Sequence, residues 1–200
     1  MAPQHPRQPQ PPDGTRQSPL HAVSGLLAGI GLSQVRVYSS QAPDGQCSGT
    51  PHLHLACTEL YFPLRGGGAA EFLTPEGPSR IDLHPGVAVQ FTPGTLHRLI
   101  TGPDPLEILV IMENGRLNEE GDVVFTFPDE DLAEPDTYAQ FADTGSASAP
   151  DRVAIERRRD RAVTGFVERV SAWRDDPQDG LTRLRRLYRL AAALVAPRAA

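Results

Sequence analysis

The stretch PHLHLACTELYFPLRG, residues 51–66, places two histidines and a glutamate within a mostly apolar run. Because side chains i and i+2 of a β-strand point to the same side, His52 and His54 project together and the intervening leucine faces the other way. Glu59 lies an odd number of residues beyond His54, so a straight strand would turn it to the opposite face. The sequence therefore predicts a bulge or tight bend within residues 56–58 that returns Glu59 to the histidine side.

Two imidazoles and a carboxylate on one side of a strand suit a first-row divalent metal ion. The alternative is a pair of surface histidines beside a solvated glutamate. A second stretch, PGVAVQFTPGTLHRL at residues 85–99, favours the metal because it brings a third imidazole. Its apolar residues alternate as far as Phe91, Pro93-Gly94 is a turn signal, and His97 opens the next run.

Together the two stretches resemble the two signature motifs of the cupin superfamily. The first motif has a glycine, His-x-His, three or four residues, a glutamate, six residues and a glycine. The spacing from His54 through Glu59 to Gly66 fits this pattern. Gly45 lies one residue too far from His52 to match the upstream glycine.

The second motif has a glycine, a strand, a Pro/Gly turn and a histidine, which correspond here to Gly86, Pro93, Gly94 and His97. The proline directly precedes Gly94 instead of standing two residues before it, and Thr101 replaces the usual asparagine. Neither departure touches a ligand position. The resemblance covers about residues 35–127 and implies a mainly β fold: a cupin-type antiparallel β-barrel or jelly roll.

We therefore predict one divalent transition metal held by His52, His54, Glu59 and His97. Iron is the preferred identity, and nickel, manganese, copper and zinc are alternatives. Four such ligands leave two positions of a six-coordinate ion open for water, O2 or a chelating substrate. Structural zinc is disfavoured because only one cysteine, Cys57, is near the site.

Other polar side chains within the apolar strand patterns are candidates for the surroundings of the metal. Tyr61 follows Glu59 by two residues, so it should share the inward face and could act as an acid or base; packing as a barrel-lining aromatic is the alternative. Arg36, Tyr38 and Gln90 are predicted to line a substrate pocket. His84 lies in a predicted turn and is expected to be exposed.

Three functions are compatible with this pattern. The first, which we favour, is a non-haem metal oxygenase of the dioxygenase type acting on a small organic metabolite with O2. The second is a metal-dependent isomerase, epimerase or lyase of an oxygenated small molecule. The third is a non-catalytic ligand sensor or accessory protein. One fold supports many reactions, so the fold alone does not choose among them.

The rest of the chain divides into segments. Residues 1–19 are rich in proline and glutamine and are predicted to be a disordered tail. Residues 20–144 hold the barrel with short flanking helices, at about 21–31 and 136–143. A linker at 145–150 leads to an amphipathic α-helical hairpin over 151–200. Its leucine stripe consists of Leu181, Leu184, Leu187, Leu190 and Leu194.

Charge and composition exclude several classes of protein. Residues 1–150 carry a net charge of −11 and residues 151–200 a net charge of +5, so the barrel does not suit nucleic acid. All nineteen basic residues are arginine, which excludes Schiff-base chemistry through lysine. No apolar run spans a membrane and no signal peptide is apparent, so a cytoplasmic protein is expected. The leucine stripe needs the barrel or a second subunit as partner, and a homodimer is expected.

Overall fold

The computed structural model describes residues 29–113, 122–146 and 148–195. The predicted tail and residues 21–28 of the predicted short helix lie outside these ranges. The strands within them are β1 (Ile30–Arg36), β2 (His52–His54), β3 (Thr58–Arg65), β4 (Gly68–Thr74), β5 (Gly77–Leu83), β6 (Val89–Phe91), β7 (Leu96–Thr101), β8 (Glu107–Glu113), β9 (Val123–Phe125), β10 (Gly145–Ser146) and β11 (Ala149–Pro150). The helices are α1 (Asp129–Ala133), α2 (Pro135–Ala142), α3 (Arg152–Asp175) and α4 (Pro177–Val195).

The longer strands form two antiparallel sheets. One has the order β1-β8-β3-β6 and the other the order β5-β4-β7-β2-β9. Their inner faces pack together through an apolar cluster that takes Tyr61 and Ile108 from the first sheet and Phe72 and Leu99 from the second. Alternating inward and outward side chains explain this two-layer arrangement. The predicted antiparallel β-barrel followed by a helical hairpin is therefore confirmed.

A tight turn between β3 and β4 explains the last glycine of the first motif. Gly66 has a φ of +75°, and a Cβ added to it would lie 2.0 Å from the Pro105 carbonyl oxygen. A side chain at this position would therefore meet backbone that cannot move aside cheaply. The threonine in place of the motif asparagine serves the neighbouring turn, because Thr101 Oγ1 accepts a hydrogen bond of 2.8 Å from the Leu106 amide.

The helical hairpin covers the outer face of the five-stranded sheet. Leu184 and Leu187 of the leucine stripe are buried against Leu53, Leu96 and other residues of that face. The leucine stripe thus packs on the barrel of the same chain, which resolves the alternative that its sequence left open. The predicted homodimer is a separate expectation that this packing does not require.

Some details differ from the sequence pattern. Val153, which matches the apolar spacing of α3, has 74% of its surface exposed because it lies in the first turn of the helix. Arg159, in a run of three arginines on α3, is buried and donates to the carbonyl oxygens of Ser40 and Gln41. Strands β10 and β11 pair within the segment predicted as a linker. No helix among the described residues is long and apolar enough to cross a membrane.

Candidate metal centre

Two strands of the five-stranded sheet and one strand of the facing sheet bring four side chains together. His52 of β2 pairs with His97 of β7, and their Nε2 atoms lie 3.1 Å apart. Glu59 of β3 faces them, with Oε2 3.5 Å from His97 Nε2 and Oε1 2.9 Å from His54 Nε2. His54, Glu59 and His97 are buried and His52 is half-buried.

A bend between β2 and β3 gives Glu59 its direction. Residues 55–57 leave the five-stranded sheet, and the chain enters the four-stranded sheet at Thr58. This is the bend that the odd spacing between His54 and Glu59 predicts, although it carries the chain between two sheets and is more than a local bulge. As a result, a carboxylate from one sheet faces imidazoles from the other.

The outer nitrogen of each histidine is held by an acceptor. His52 Nδ1 lies 2.8 Å from the Thr50 carbonyl oxygen, and His97 Nδ1 lies 3.0 Å from the Thr95 carbonyl oxygen. His54 Nδ1 lies 2.7 Å from Asp122 Oδ1. Because carbonyl and carboxylate oxygens only accept, each Nδ1 carries the proton, and each Nε2 is directed into the cluster.

With the ring protons on Nδ1, the middle of the cluster holds more lone pairs than hydrogen-bond donors. In their neutral forms, His52 and His97 present unprotonated Nε2 atoms to each other. Glu59 Oε2 lies beside them and accepts no hydrogen bond from the described residues. Buried acceptors without donors are costly, and a divalent cation at their meeting point would satisfy all of them. The residues present therefore fit a metal ion.

The pKa values of the cluster follow from burial and mutual charge. Burial, with a contribution from His97 and His54, lowers the pKa of His52 to about 3, and burial lowers the pKa of His97. Burial alone would also lower the pKa of His54, but its hydrogen bonds with Asp122, Cys57 and Glu59 raise it to about 11. Burial opposes ionisation of Glu59, yet the histidines, His97 foremost, lower its pKa to about 2. Two neutral imidazoles and an ionised carboxylate are the forms that bind metals.

Tyr61 lies beside the cluster, on the inward face where its spacing places it. Its ring centroid is 5.9 Å from that of His97 and 4.9 Å from that of Phe91. Burial and the Glu59 carboxylate raise the pKa of Tyr61 well above its usual value. Its phenol is therefore protonated at neutral pH and can donate a hydrogen bond, whereas a role as a base is disfavoured. Its catalytic role stays a prediction.

The predicted pocket residues are not gathered at the cluster. Gln90 is exposed on β6, because Val89 and Phe91 on either side of it take the inward positions. Arg36 is exposed at the end of β1, paired in register with Glu107. Tyr38 is half-buried beyond the end of the same strand. Their assignment to a substrate pocket stays a prediction, and His84 is exposed as expected.

Asp122 is the residue of the site that the sequence reasoning missed. It is buried, directly precedes β9, and its carboxylate contacts His54, Ala56 and Cys57. Acidic residues often precede a strand, so this position alone does not indicate a functional residue. Its importance comes from the pairing of β9 with β2, a contact between residues 68 positions apart. The one available signal was an aspartate at the start of the apolar segment DVVFTF.

Comparison with known proteins gives only distant similarity. No protein-family model and no curated protein matches the sequence. Among solved structures, oxalate decarboxylase from Bacillus subtilis at pH 4.6 aligns over 48% of this chain and 25% of its own, with 15% identity and a TM-score of 0.39. DMSP lyase DddQ from Ruegeria pomeroyi DSS-3 aligns over 48% of this chain and 43% of its own, with 24% identity and a TM-score of 0.37.

Peruvianin-I, a cysteine peptidase from Thevetia peruviana latex, aligns over 44% of this chain and 52% of its own, with 13% identity and a TM-score of 0.37. The chain thus spans between a quarter and about half of the length of these proteins. Similarity at this level gives no information about the reaction. The strand topology and the positions of both motifs are the evidence for the fold. Each motif spans one strand of each sheet of a small antiparallel barrel, β2 and β3 for the first and β6 and β7 for the second, which confirms the resemblance to the cupin superfamily.

Proposed function

We propose that this protein is a metal-dependent enzyme that binds one divalent transition metal through His52, His54, Glu59 and His97 and acts on a small organic molecule. The observation that carries the proposal is the meeting of His52 Nε2, His97 Nε2 and Glu59 Oε2 without a donor between them. Binding through His54 Nε2 requires that this nitrogen gives up the proton it shares with Glu59 Oε1. Three imidazoles and a carboxylate suit iron, nickel, manganese, copper or zinc, and we favour iron.

Within this class we favour an oxygenase of the dioxygenase type. A redox-active ion bound here would supply the chemistry that activates O2. The chain's own residues surround the cluster with aromatic rings: Phe91 lies 4.6 Å from His97 and Phe125 6.4 Å from His52, measured between ring centroids. Such walls accommodate O2 and an apolar substrate and restrict the access of water.

The arginines of the barrel region support the same choice. Sugar phosphates need several cationic groups in the site, and the described barrel supplies few near the cluster. Arg65 pairs with Glu107, Arg80 with Glu71, and Arg98 with Glu71 and Asp44. These partners direct the guanidinium groups to other parts of the barrel, so a phosphosugar isomerase is disfavoured.

A metal-dependent lyase or isomerase is the second candidate, and the position of Tyr61 favours it. A protonated phenol beside Glu59 and His97 can donate a proton to a leaving group or to a developing oxyanion. O2 consumption separates the two candidates, because only the oxygenase uses it. Tyr61→Phe would reduce turnover strongly in a lyase of this kind.

The first experiment is metal analysis by mass spectrometry on untagged protein. We expect close to one transition-metal ion per chain in the parent and loss of most of it in His52→Ala and His97→Ala. His84→Ala is the matched control, because His84 is exposed and its Nδ1 contacts the neighbouring Pro85 carbonyl oxygen. Iron, nickel or copper would direct the next assay to O2 uptake with candidate small molecules.

Three outcomes would count against this proposal. A parent protein that binds no ion, even after incubation with several divalent metals, would remove the enzyme function and favour a ligand sensor or accessory protein. Metal retained in both histidine variants would place the ion elsewhere in the chain. Equal loss in His84→Ala would mean that the substitutions act through general destabilisation.

A further inference from the structure

The Asp122 carboxylate accepts four hydrogen bonds from groups beside the metal cluster. Its Oδ1 accepts from His54 Nδ1 at 2.7 Å and from Cys57 Sγ at 3.2 Å. Its Oδ2 accepts from the backbone amides of Ala56 at 2.7 Å and Cys57 at 3.1 Å. The residue is 1% exposed, so these four donors replace water around a buried carboxylate.

These contacts act on two of the proposed ligands at once. The bond to His54 Nδ1 sets the orientation of that imidazole and directs its Nε2 into the cluster. The bonds to the amides of Ala56 and Cys57 hold the bend between β2 and β3, and this bend brings Glu59 to the same side. One carboxylate therefore determines the direction of His54 and, through the backbone, that of Glu59.

The partner of His54 also differs in kind from those of the other histidines. His52 and His97 donate to backbone carbonyl oxygens, whereas His54 donates to a carboxylate. A negatively charged partner on Nδ1 increases the electron density of the ring and strengthens Nε2 as a donor to a metal. His54 is thus distinguished from two otherwise similar imidazoles.

The group formed by His54, Cys57 and Asp122 could itself be considered for a second metal ion, because its donor atoms lie within 4.8 Å of one another. Its hydrogen bonds argue against this. Both oxygens of Asp122 are occupied by N–H and S–H donors, in contrast to the unpartnered Glu59 Oε2. The group is satisfied by its own protons and supports the neighbouring cluster.

We propose that Asp122 is the positioning residue of the metal centre, which orients His54 as the strongest imidazole donor and holds the bend that presents Glu59. This inference rests on the proposed function, since it assigns a role toward the same ion. The role is one of support: Asp122 reaches the ion only through His54 and through the backbone of residues 56–57.

The test compares Zn²⁺ affinity in the parent, Asp122→Asn and Asp82→Asn by competition with a chromophoric chelator. Asparagine removes the charge and can no longer accept on both sides, so we expect about 10- to 100-fold weaker binding in Asp122→Asn. Asp82→Asn is the matched control: it makes the same change at a side chain that is 86% exposed, and its affinity should stay within a few-fold of the parent. Equal affinity in the parent and Asp122→Asn would overturn the inference.

A second measurement is made on the parent protein, so it does not depend on how well Asp122→Asn folds. In Zn²⁺-loaded parent protein labelled with ¹⁵N-histidine, nuclear magnetic resonance reports which ring nitrogen of each histidine carries the proton. We expect His54, assigned by its loss in His54→Gln, to be protonated at Nδ1 with the most downfield ring proton of the three ligands. A proton on Nε2 of His54, or a ring proton no further downfield than the other two, would contradict the role of Asp122.

The two proposals fail in distinguishable ways. If the parent binds no Zn²⁺, or if His52→Ala binds as tightly as the parent, the metal site itself is wrong. If the parent binds Zn²⁺, His52→Ala loses it, and Asp122→Asn matches the parent in affinity, only the role of Asp122 is wrong.

Discussion

The two faces of the five-stranded sheet are built for different purposes, although the same strands form both. In β2, His52 and His54 face the interior of the barrel, and Leu53 between them faces the helical hairpin. In β7, His97 faces inward, and Leu96 packs on the outer side. Because side chains alternate along a strand, successive residues face the metal cluster and the helical hairpin in turn.

The outer face consists mainly of complementary apolar surfaces. Phe166 is buried there under the guanidinium of Arg98, 5.2 Å from the ring centroid, and Leu187 is fully buried. The inner face near the cluster instead brings unprotonated nitrogens and an ionised carboxylate together. We infer that the outer face supplies stability to the chain by itself, whereas the histidine and glutamate cluster on the inner face becomes stabilising only when a cation is bound.

The largest expected effect therefore lies on the outer face. Phe166→Ala should lower the free energy of unfolding by about 3–5 kcal/mol, because it leaves a cavity between α3 and the sheet. The measurement is urea denaturation of the metal-free protein. Folded Phe166→Ala should bind Zn²⁺ with nearly the affinity of the parent, since no proposed ligand loses a contact.

Val153→Ala is the matched control on the same helix. Val153 is 74% exposed, so this change should stay within about 0.5 kcal/mol of the parent. If Phe166→Ala were as mild as Val153→Ala, the hairpin would be a loosely attached segment and the outer face would not be the main source of stability.

The next largest effect tests the inner face. At a free Zn²⁺ concentration 100 times its Kd, the parent should gain about 2.7 kcal/mol in free energy of unfolding. His52→Ala should lose this gain, and in the absence of metal it should cost only about 0.5–1.5 kcal/mol, for the hydrogen bond from His52 Nδ1 to the Thr50 carbonyl oxygen. Urea denaturation with and without Zn²⁺ measures both quantities.

His84→Ala should keep the full gain in the presence of Zn²⁺. A large loss of stability in metal-free His52→Ala would show that the cluster is already stabilising without an ion. The contrast between the two faces would then be wrong.

The sequence predicted the inner face better than the outer one. Alternation placed His52 and His54 on one face and predicted the bend before Glu59, because these signals are local, and the resemblance to the cupin motifs added His97. The contacts of Asp122 depend on the pairing of β9 with β2. The burial of Arg159 depends on the docking of α3, which no local pattern encodes.

The same limit explains the pocket residues. Gln90 and Arg36 are predicted to line the pocket because each is a polar residue within an apolar strand pattern. Such a pattern does not say which polar residue faces inward. The start of β1 also differs from the prediction: the strand begins at Ile30, within the segment predicted as a short helix, because its partner β8 extends that far. The identity of the partner strand decides such limits.

The smallest effect concerns Tyr188, a side chain that links the hairpin to the turn before His97. Tyr188 of α4 donates a hydrogen bond of 2.8 Å to the Gly94 carbonyl oxygen, and the Gly94 amide donates to the His54 carbonyl oxygen at 2.7 Å. Tyr188→Phe removes only the hydroxyl, so it should lower the free energy of unfolding by about 0.5–1.5 kcal/mol at neutral pH.

The effect of Tyr188 should also depend on pH. Burial, with a contribution from Glu76, raises the pKa of Tyr188 to about 12, above the value of about 10 expected in the unfolded chain. The protonated phenol is therefore favoured by folding, and its contribution is complete below pH 10 and is lost as the pH rises toward 12. The difference in unfolding free energy between the parent and Tyr188→Phe should shrink over this interval. A constant difference would mean that the hydroxyl is freely solvated and that the hairpin does not hold the turn that precedes His97.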